Sequence, residues 1–201
     1  MSKDMTDYIS ASAAQTLYGL FRERLNKTPD SPAYINYCEQ TQQWQTMSWS
    51  DAAQQIAYWQ QALKAEGLSP GDRVALNLKN CPEWVFFDQA ALSLGLITVP
   101  LYPDDRPDSL AFILQDADVR FLLLQNHHQW NRLKPSLSED HQLKRVIIKS
   151  ADKLMLDAPA MYLDEWLKKD IIYPLLDWQT ETDQLATIIY TSGTTGKPKG
   201  V

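Results

Sequence analysis

A cluster of glycine, hydroxyl and lysine side chains near the end of the chain has the residue types that bind a polyphosphate. Only seven glycines occur in 201 residues, yet Gly193, Gly196 and Gly200 lie close together. Hydroxyls and lysines lie among them, namely Thr191, Ser192, Thr194, Thr195, Lys197 and Lys199. Glycine lets backbone N–H groups approach an anion closely, while hydroxyls and lysines donate neutral and charged hydrogen bonds. The segment therefore predicts a loop that holds an anion with several negative oxygens.

The spacing of this loop differs from two common nucleotide-binding patterns. Gly193 and Gly196 are three positions apart, and Lys197 is followed by Pro198 rather than by Ser or Thr, so the segment is not a Walker loop. No G-x-G occurs in the chain, which excludes the dinucleotide fingerprint. A plain flexible connection between strands is the alternative. The combination of glycines, hydroxyls and lysines directly after an apolar run favours anion binding.

Strand and helix signals alternate along the chain ahead of this loop. Apolar runs predict strands at residues 73–78, 96–101, 119–124, 145–148 and 185–190. Between them we expect a helix at residues 107–115 and another that starts in a capping-box-like pattern of Asn80 and Glu83 and ends at Gly95. Nearly continuous apolar strands that alternate with helices are typical of buried parallel sheets. The sequence therefore predicts an α/β fold, with a mostly parallel sheet flanked by helices on both faces.

Two helices and a hairpin are predicted ahead of the sheet. A helix over residues 14–26 would place four apolar side chains on one side: Leu17, Leu20, Phe21 and Leu25. Strands at residues 33–37 and 44–49 would form the hairpin-like pair. We expect Ser50 or Asp51 to cap the next helix, whose buried stripe would be Ala52, Ile56, Trp59 and Leu63. Residues 151–183 have no clear pattern.

Composition excludes several classes of protein. The net charge of -6 gives no general attraction for nucleic acid, and we expect the tryptophans to lie mostly in the core. The longest uncharged, mostly apolar run, residues 89–103, is shorter than the ~20 residues that span a membrane. Residues 1–12 lack a basic-then-apolar signal region, so the expected location is the cytoplasm. The three histidines, His127, His128 and His141, have no partners for a metal site and are expected in solvated loops.

Residues 190–200 resemble the phosphate loop of the adenylate-forming, AMP-forming acyl-CoA synthetases. That family has the pattern Tyr-Thr-Ser-Gly-Thr-Thr-Gly-x-Pro-Lys-Gly, and every fixed position is matched here. Weaker family stretches occur in the expected order at residues 46–51 and 92–103, and residues 82–84 and 101–103 look most like the long-chain fatty acid–CoA ligase branch. The resemblance implies an N-terminal tail at residues 1–13, followed at residues 14–201 by the first part of an AMP-binding domain that stops after the phosphate loop.

The resemblance also implies the reaction and its participants. A carboxylate would attack ATP to give acyl-AMP and pyrophosphate, with Mg²⁺ present, and CoA would then take the acyl group. The implied phosphate contacts are Thr191, Ser192, Thr194 and Thr195, with Gly193 and Gly196 letting the backbone wrap the phosphates. Lys199 would be the catalytic cation and Thr194 the hydroxyl nearest Mg²⁺, while Lys197 falls at the family's variable position. The chain after the loop would return as a strand beside the one leading in.

Partners implied by the resemblance are small molecules rather than nucleic acid, and peripheral contact with a membrane stays open. The family's adenine, acyl and CoA sites follow the phosphate loop, so we expect the chain alone to lack ligase activity. Two alternatives remain: an acyl-AMP ligase that loads a carrier protein, and a noncatalytic nucleotide-binding fragment.

Overall fold

The computed structural model describes residues 7–38, 41–150, 152–177, 181–192 and 197–201, with Ser192 described for its backbone alone. In chain order the elements are α1 (Ala11–Ala14), α2 (Leu17–Lys27), β1 (Pro32–Cys38), β2 (Gln43–Ser48), α3 (Trp49–Ala65), β3 (Arg73–Asn77), α4 (Pro82–Ser93), β4 (Ile97–Pro100), α5 (Pro107–Asp116), β5 (Val119–Leu124), α6 (His127–Leu133), β6 (Arg145–Ile148), β7 (Ala160–Tyr162), α7 (Leu163–Trp166), β8 (Tyr190–Ser192) and β9 (Pro198–Gly200). A short 3-10 turn, Lys134–Ser136, follows α6.

A five-stranded parallel sheet forms the centre of the fold. Its strand order is β4-β3-β5-β6-β7, and every neighbouring pair is parallel. Helices α4, α5 and α6 connect β3 to β4, β4 to β5 and β5 to β6, as the alternating pattern predicts. The predicted α/β class and parallel sheet are confirmed.

Helices cover both faces of this sheet. Leu122 and Leu123 follow each other in β5 and point to opposite faces, because side chains alternate along a strand. Leu123 packs in a core with side chains of α2, α3 and α4. Leu122 packs in a second core with side chains of α5 and α6. Each face of the central strands is therefore buried, which explains their apolar sequences.

The helix predicted at residues 14–26 is wrong at its start, because the helical backbone is interrupted between α1 and α2. Gln15 has a φ of 60°, and Thr16 begins a new helix by accepting a hydrogen bond from the Gly19 N–H at 2.9 Å. Hydroxyl caps of this kind define a helix start. Phe21 is buried as predicted, whereas Leu17 and Leu20 remain exposed.

The hairpin of β1 and β2 is confirmed as an antiparallel pair, with two differences from the sequence analysis. The cap of α3 is Ser48, and Asp51 is the third helical residue of the same capping box. Helix α3 therefore starts at Trp49, earlier than predicted, although its expected stripe is buried. Trp44 is 71% exposed on β2, so the assignment of tryptophans to the core is wrong for this residue.

Two further local predictions are corrected. Asn80 does not cap α4: the N-cap is Cys81, without a side-chain capping bond, and Glu83 binds Lys149 at 2.8 Å. The Glu83 carboxylate, which the predicted capping box would have used, instead pairs with Lys149, which is distant in the sequence. His127 and His128 begin α6 rather than lying in a loop, because Asn126 caps that helix. Within the ranges listed above, no helix is long and apolar enough to cross a membrane.

Candidate functional site

The chain reaches the predicted phosphate loop along the outer edge of the parallel sheet. The Thr98 N–H of β4 donates to the Ala186 carbonyl at 3.0 Å, and the Ile188 N–H donates to the Thr98 carbonyl at 2.9 Å. The Thr187 hydroxyl donates to the same carbonyl at 3.0 Å. Residues 186–188 therefore run parallel to β4 and lead to the carboxyl edge of the sheet, where α/β folds bind ligands.

The predicted strand at residues 185–190 is wrong for residues 185–189, which make one parallel bridge, between Thr98 and Thr187. The next bond of a parallel ladder would come from the N–H of Pro100, and proline has none. The ladder therefore ends after Thr98. The chain becomes a strand again at Tyr190, where it pairs with β9 instead of β4.

Strands β8 and β9 form an antiparallel hairpin around the predicted loop. Tyr190 pairs with Gly200 and Thr191 pairs with Lys199. The backbones of Ile189 and Val201 exchange two hydrogen bonds of 2.9 Å, which extend the pairing by one residue on each strand. The implied return of the chain as a strand beside the incoming one is confirmed.

The two faces of this hairpin have different roles. Tyr190 is buried in the core beneath the hairpin, whereas Thr191 and Lys199 are exposed on the outer face. Because Thr191 and Lys199 are cross-strand partners, their side chains lie on the same face. The hairpin therefore presents a hydroxyl and an ammonium group side by side on its exposed face.

The predicted site residues fall into two groups. Thr191 and Lys199 are brought together as just described, and Ser192 belongs to β8 and pairs through its backbone with Pro198. The remaining predicted phosphate and Mg²⁺ contacts lie outside the described residues: Gly193, Thr194, Thr195 and Gly196. Within the ranges that the structure describes, no group of three His, Cys, Asp or Glu residues could hold a metal ion.

Helix α5 contacts the hairpin at two points that sequence reasoning missed. The Tyr190 hydroxyl donates to Asp116 Oδ2 at 2.5 Å. Burial and the neighbouring carboxylate raise the pKa of Tyr190 above its usual range, so its hydroxyl stays protonated at neutral pH. The Lys197 Nζ lies 5.6 Å from the centre of the Phe112 ring, within the range of a cation–π contact. The hairpin is thus attached to the helix by both of its arms.

A partly buried polar network, with Asn77 at its centre, joins neighbouring loops at the same edge of the sheet. Asn77, at the end of β3, accepts a bond from Gln129 Nε2 at 2.6 Å and donates to the Tyr102 carbonyl at 3.1 Å. Gln129 Oε1 accepts the Gln125 N–H at 2.8 Å. The network joins the loops that follow β3, β4 and β5. Its sequence signal is a polar residue at or near the end of a buried apolar run: Asn77 within residues 73–78 and Gln125 directly after residues 119–124.

Comparison with known proteins gives a family match over most of the chain. The family model described as AMP-binding enzyme matches residues 21–201. Gramicidin S synthase 2 of Aneurinibacillus migulanus is 30% identical over 187 residues, and long chain acyl-CoA synthetase 1 of Arabidopsis thaliana is 26% identical over 202 residues. These alignments cover 93% and 94% of this chain but 4% and 30% of those proteins. The chain therefore spans less than a third of either relative.

Solved structures share the fold. A Mycobacterium tuberculosis fatty acyl CoA synthetase has a TM-score of 0.76 at 22% sequence identity, covering 93% of this chain and 34% of that chain. The anthranilate CoA ligase AuaEII, in complex with anthranoyl-AMP, has a TM-score of 0.78 at 20% identity, covering 96% of this chain and 36% of that chain. At sequence identities of 22% and 20%, the similarity shows a shared fold alone.

Proposed function

Because this chain belongs to the AMP-binding enzyme family, we propose that it supplies the phosphate-binding part of an ATP-dependent, AMP-forming fatty acid–CoA ligase. The observation that carries the proposal is the hairpin at the carboxyl edge of the sheet, whose outer face pairs Thr191 with Lys199. Residues 14–201 would form the first part of the AMP-binding domain and residues 1–13 its N-terminal tail.

The first step needs no general base on the protein. A fatty carboxylate has a pKa of about 4–4.3, so it is already ionised at neutral pH. Its oxygen attacks the α-phosphorus of ATP, the bond to the β-phosphate oxygen breaks, and pyrophosphate leaves. The barrier comes from bringing two anions together and from charge that shifts onto pyrophosphate. The useful protein groups are therefore fixed hydrogen-bond donors and positive charge.

The loop residues would stabilise the phosphates in different ways, according to their chemistry. Hydroxyls of Thr191, Ser192, Thr194 and Thr195 would donate to β- and γ-phosphate oxygens, and the backbone of Gly193 and Gly196 would wrap the phosphates. Lys199 would supply positive charge as pyrophosphate leaves. Mg²⁺, when bound, neutralises phosphate charge, and the protein group proposed beside it is the Thr194 hydroxyl.

The second step transfers the acyl group to a thiol. The sulfur attacks the acyl carbonyl carbon, its proton is lost, and AMP leaves as the bond to its phosphate oxygen breaks. We propose CoA as the thiol, which long chain acyl-CoA synthetase 1 supports by its name. A carrier-protein thiol is the second candidate, supported by the higher identity to gramicidin S synthase 2 and by the 32% identity to tyrocidine synthase 3 of Brevibacillus parabrevis.

A substrate panel on the complete protein tests the proposal. Carboxylate-dependent exchange of labelled pyrophosphate into ATP is measured with fatty acids of graded length and with amino acids, and thioester formation is then measured with CoA and with a carrier protein. We expect exchange with fatty acids and a thioester with CoA. Exchange with amino acids alone, or ADP as the nucleotide product, would contradict the proposed function.

A further inference from the structure

The contacts between α5 and the hairpin are arranged as a two-point clamp. Phe112 and Asp116 lie four positions apart in α5, so they lie on the same side of the helix about one turn apart. Asp116 binds Tyr190 in the arm that enters the loop, and Phe112 contacts Lys197 in the arm that leaves it. One helix face thus contacts both arms.

The hydrogen bond from the Tyr190 hydroxyl to Asp116 is strong because its donor is buried and its acceptor is exposed. Tyr190 is 6% exposed, and a buried hydroxyl without a partner would be costly. Asp116 is exposed, and its Oδ2 accepts the bond from the Tyr190 hydroxyl at 2.5 Å. The contact therefore determines where the buried ring, and with it the start of β8, lies.

Helix α5 is itself fixed by the core, so it can act as a support. Ile113 and Leu114, which lie between Phe112 and Asp116, are buried against the sheet. The clamp residues project from a helix whose position is set by packing. Asp116 contacts Tyr190, whose side chain is buried and does not share the outer face of Thr191 and Lys199.

We propose that Asp116 and Phe112 are positioning residues, which hold both arms of the phosphate loop in the geometry that binds ATP. The inference rests on the proposed function, and it extends the site to a helix outside the sequence motif. Because the clamp acts on the arms of the loop, its loss weakens the contacts to ATP and leaves those to the carboxylic acid unchanged.

The test uses the complete protein, four single variants and one double variant. Tyr190→Phe and Asp116→Ala each remove one partner of the hydrogen bond, and their combination completes a double-mutant cycle. Phe112→Leu removes the cation–π contact. Tyr162→Phe is the matched control, because its hydroxyl accepts the Leu154 N–H at 2.6 Å on β7, at the opposite edge of the sheet from β4.

The clamp variants are expected to change the KM for ATP and to leave the KM for the acid unchanged. Tyr190→Phe and Asp116→Ala each raise the KM for ATP about fivefold or more, with the KM for the acid unchanged, because a hydrogen bond to a charged group is lost. The double variant is no worse than either single variant, because both remove the same bond. Phe112→Leu raises the KM for ATP by a smaller factor, and Tyr162→Phe leaves it unchanged.

The outcomes separate the inference from the proposed function. Wild-type activity together with an unchanged KM for ATP in all clamp variants would overturn the inference and leave the function intact. Equal increases in both KM values, or additive effects in the double variant, would also overturn it. Wild-type protein without adenylation activity would instead refute the function. If Tyr190→Phe does not fold, Asp116→Ala tests the clamp by itself, since Asp116 lies at the surface.

Discussion

Gly200 lies directly against the ring of Tyr190. A Cβ at position 200 would lie 3.1 Å from Tyr190 Cζ and 2.9 Å from Ile188 Cγ2, closer than side chains normally pack. The two residues are cross-strand partners in the hairpin of β8 and β9. The last glycine of the motif is therefore needed for close packing beneath the loop, a role distinct from wrapping a phosphate.

Gly200→Ala is expected to weaken ATP binding by displacing Tyr190 from its place in the core. The added methyl group meets a buried ring and a branched side chain, neither of which can move freely. We expect the KM for ATP to rise about tenfold, roughly 1.4 kcal/mol. Gly67→Ala is the control, because Gly67 has a φ of +67° but no atom near its missing Cβ. That change should lower stability and leave the KM for ATP unchanged; equal KM effects would contradict the packing role.

Removing a proposed phosphate donor is expected to slow adenylation. In the complete protein, Lys199→Ala or Thr194→Ala should lower the pyrophosphate-exchange rate by about tenfold or more, because each removes a donor to developing charge. Lys153→Ala controls for the loss of a lysine, since Lys153 binds Asp164 beside β7, at the far edge of the sheet. Wild-type exchange rates in both loop variants would show that the assigned donors are wrong.

The sequence predicted the parts of this fold that depend on local pattern. The apolar runs at residues 119–124 and 145–148 correspond to β5 and β6. It did not predict the bond between Tyr190 and Asp116, which are 74 positions apart, because no local pattern specifies a contact at that separation.

Local competition explains the difference at the start of α3. Ser48, Ser50 and Asp51 can all cap a helix, and the structure uses Ser48 with Asp51 as its reciprocal partner. The strand expected at residues 185–190 does not form over residues 185–189, because Pro100 of the neighbouring strand has no N–H to donate, and the sequence of residues 185–190 contains no sign of this.

Gln60 is expected to be a major contributor to stability, because from a buried position it joins α3 to α4 and to the segment at Leu176. Its side chain is 0% exposed, its Nε2 donates to Ser93 Oγ at 2.7 Å, and its Oε1 accepts the Leu176 N–H at 2.8 Å. Gln60→Leu removes both bonds: the half-buried Leu176 N–H loses its partner, and Ser93 Oγ keeps only its bond to the Ala90 carbonyl, so the free energy of unfolding should fall by about 1–3 kcal/mol.

Urea unfolding of the chain measures this loss. Gln61→Leu, at the half-buried neighbouring position, is the control and should change the free energy of unfolding by less than about 0.5 kcal/mol. Equal effects at positions 60 and 61 would show that the hydrogen bonds of Gln60 contribute nothing specific.

Asp88 is expected to make stability fall as the pH rises from 3.8 to 6. Burial raises the pKa of Asp88 from its ordinary value of 3.8 to about 6, against the opposing hydrogen bonds from Thr98 and Gln89. The folded chain therefore binds more protons than the unfolded chain in that window, and its free energy of unfolding declines with pH. The decline from this group is at most about 3 kcal/mol, complete above pH 6.

Asp88→Asn removes this dependence, since an amide does not titrate in that range. The stability of the variant relative to wild type should rise between pH 4 and pH 6 and then remain level. Asp108→Asn, at an exposed position of α5, is the control and should show no such rise. A pH-independent difference between Asp88→Asn and wild type would show that Asp88 has an ordinary pKa.

Calorimetric titration of the complete, folded protein with ATP and Mg²⁺ tests the central claim most directly, because it measures nucleotide binding without needing the acid or the thiol. We predict saturable binding in the wild type, weakened about tenfold or more by Lys199→Ala, in keeping with the loss of a charged donor. No binding heat in well-folded wild-type protein, or the same affinity in the variant, would contradict the claim that residues 190–200 hold the phosphates of ATP.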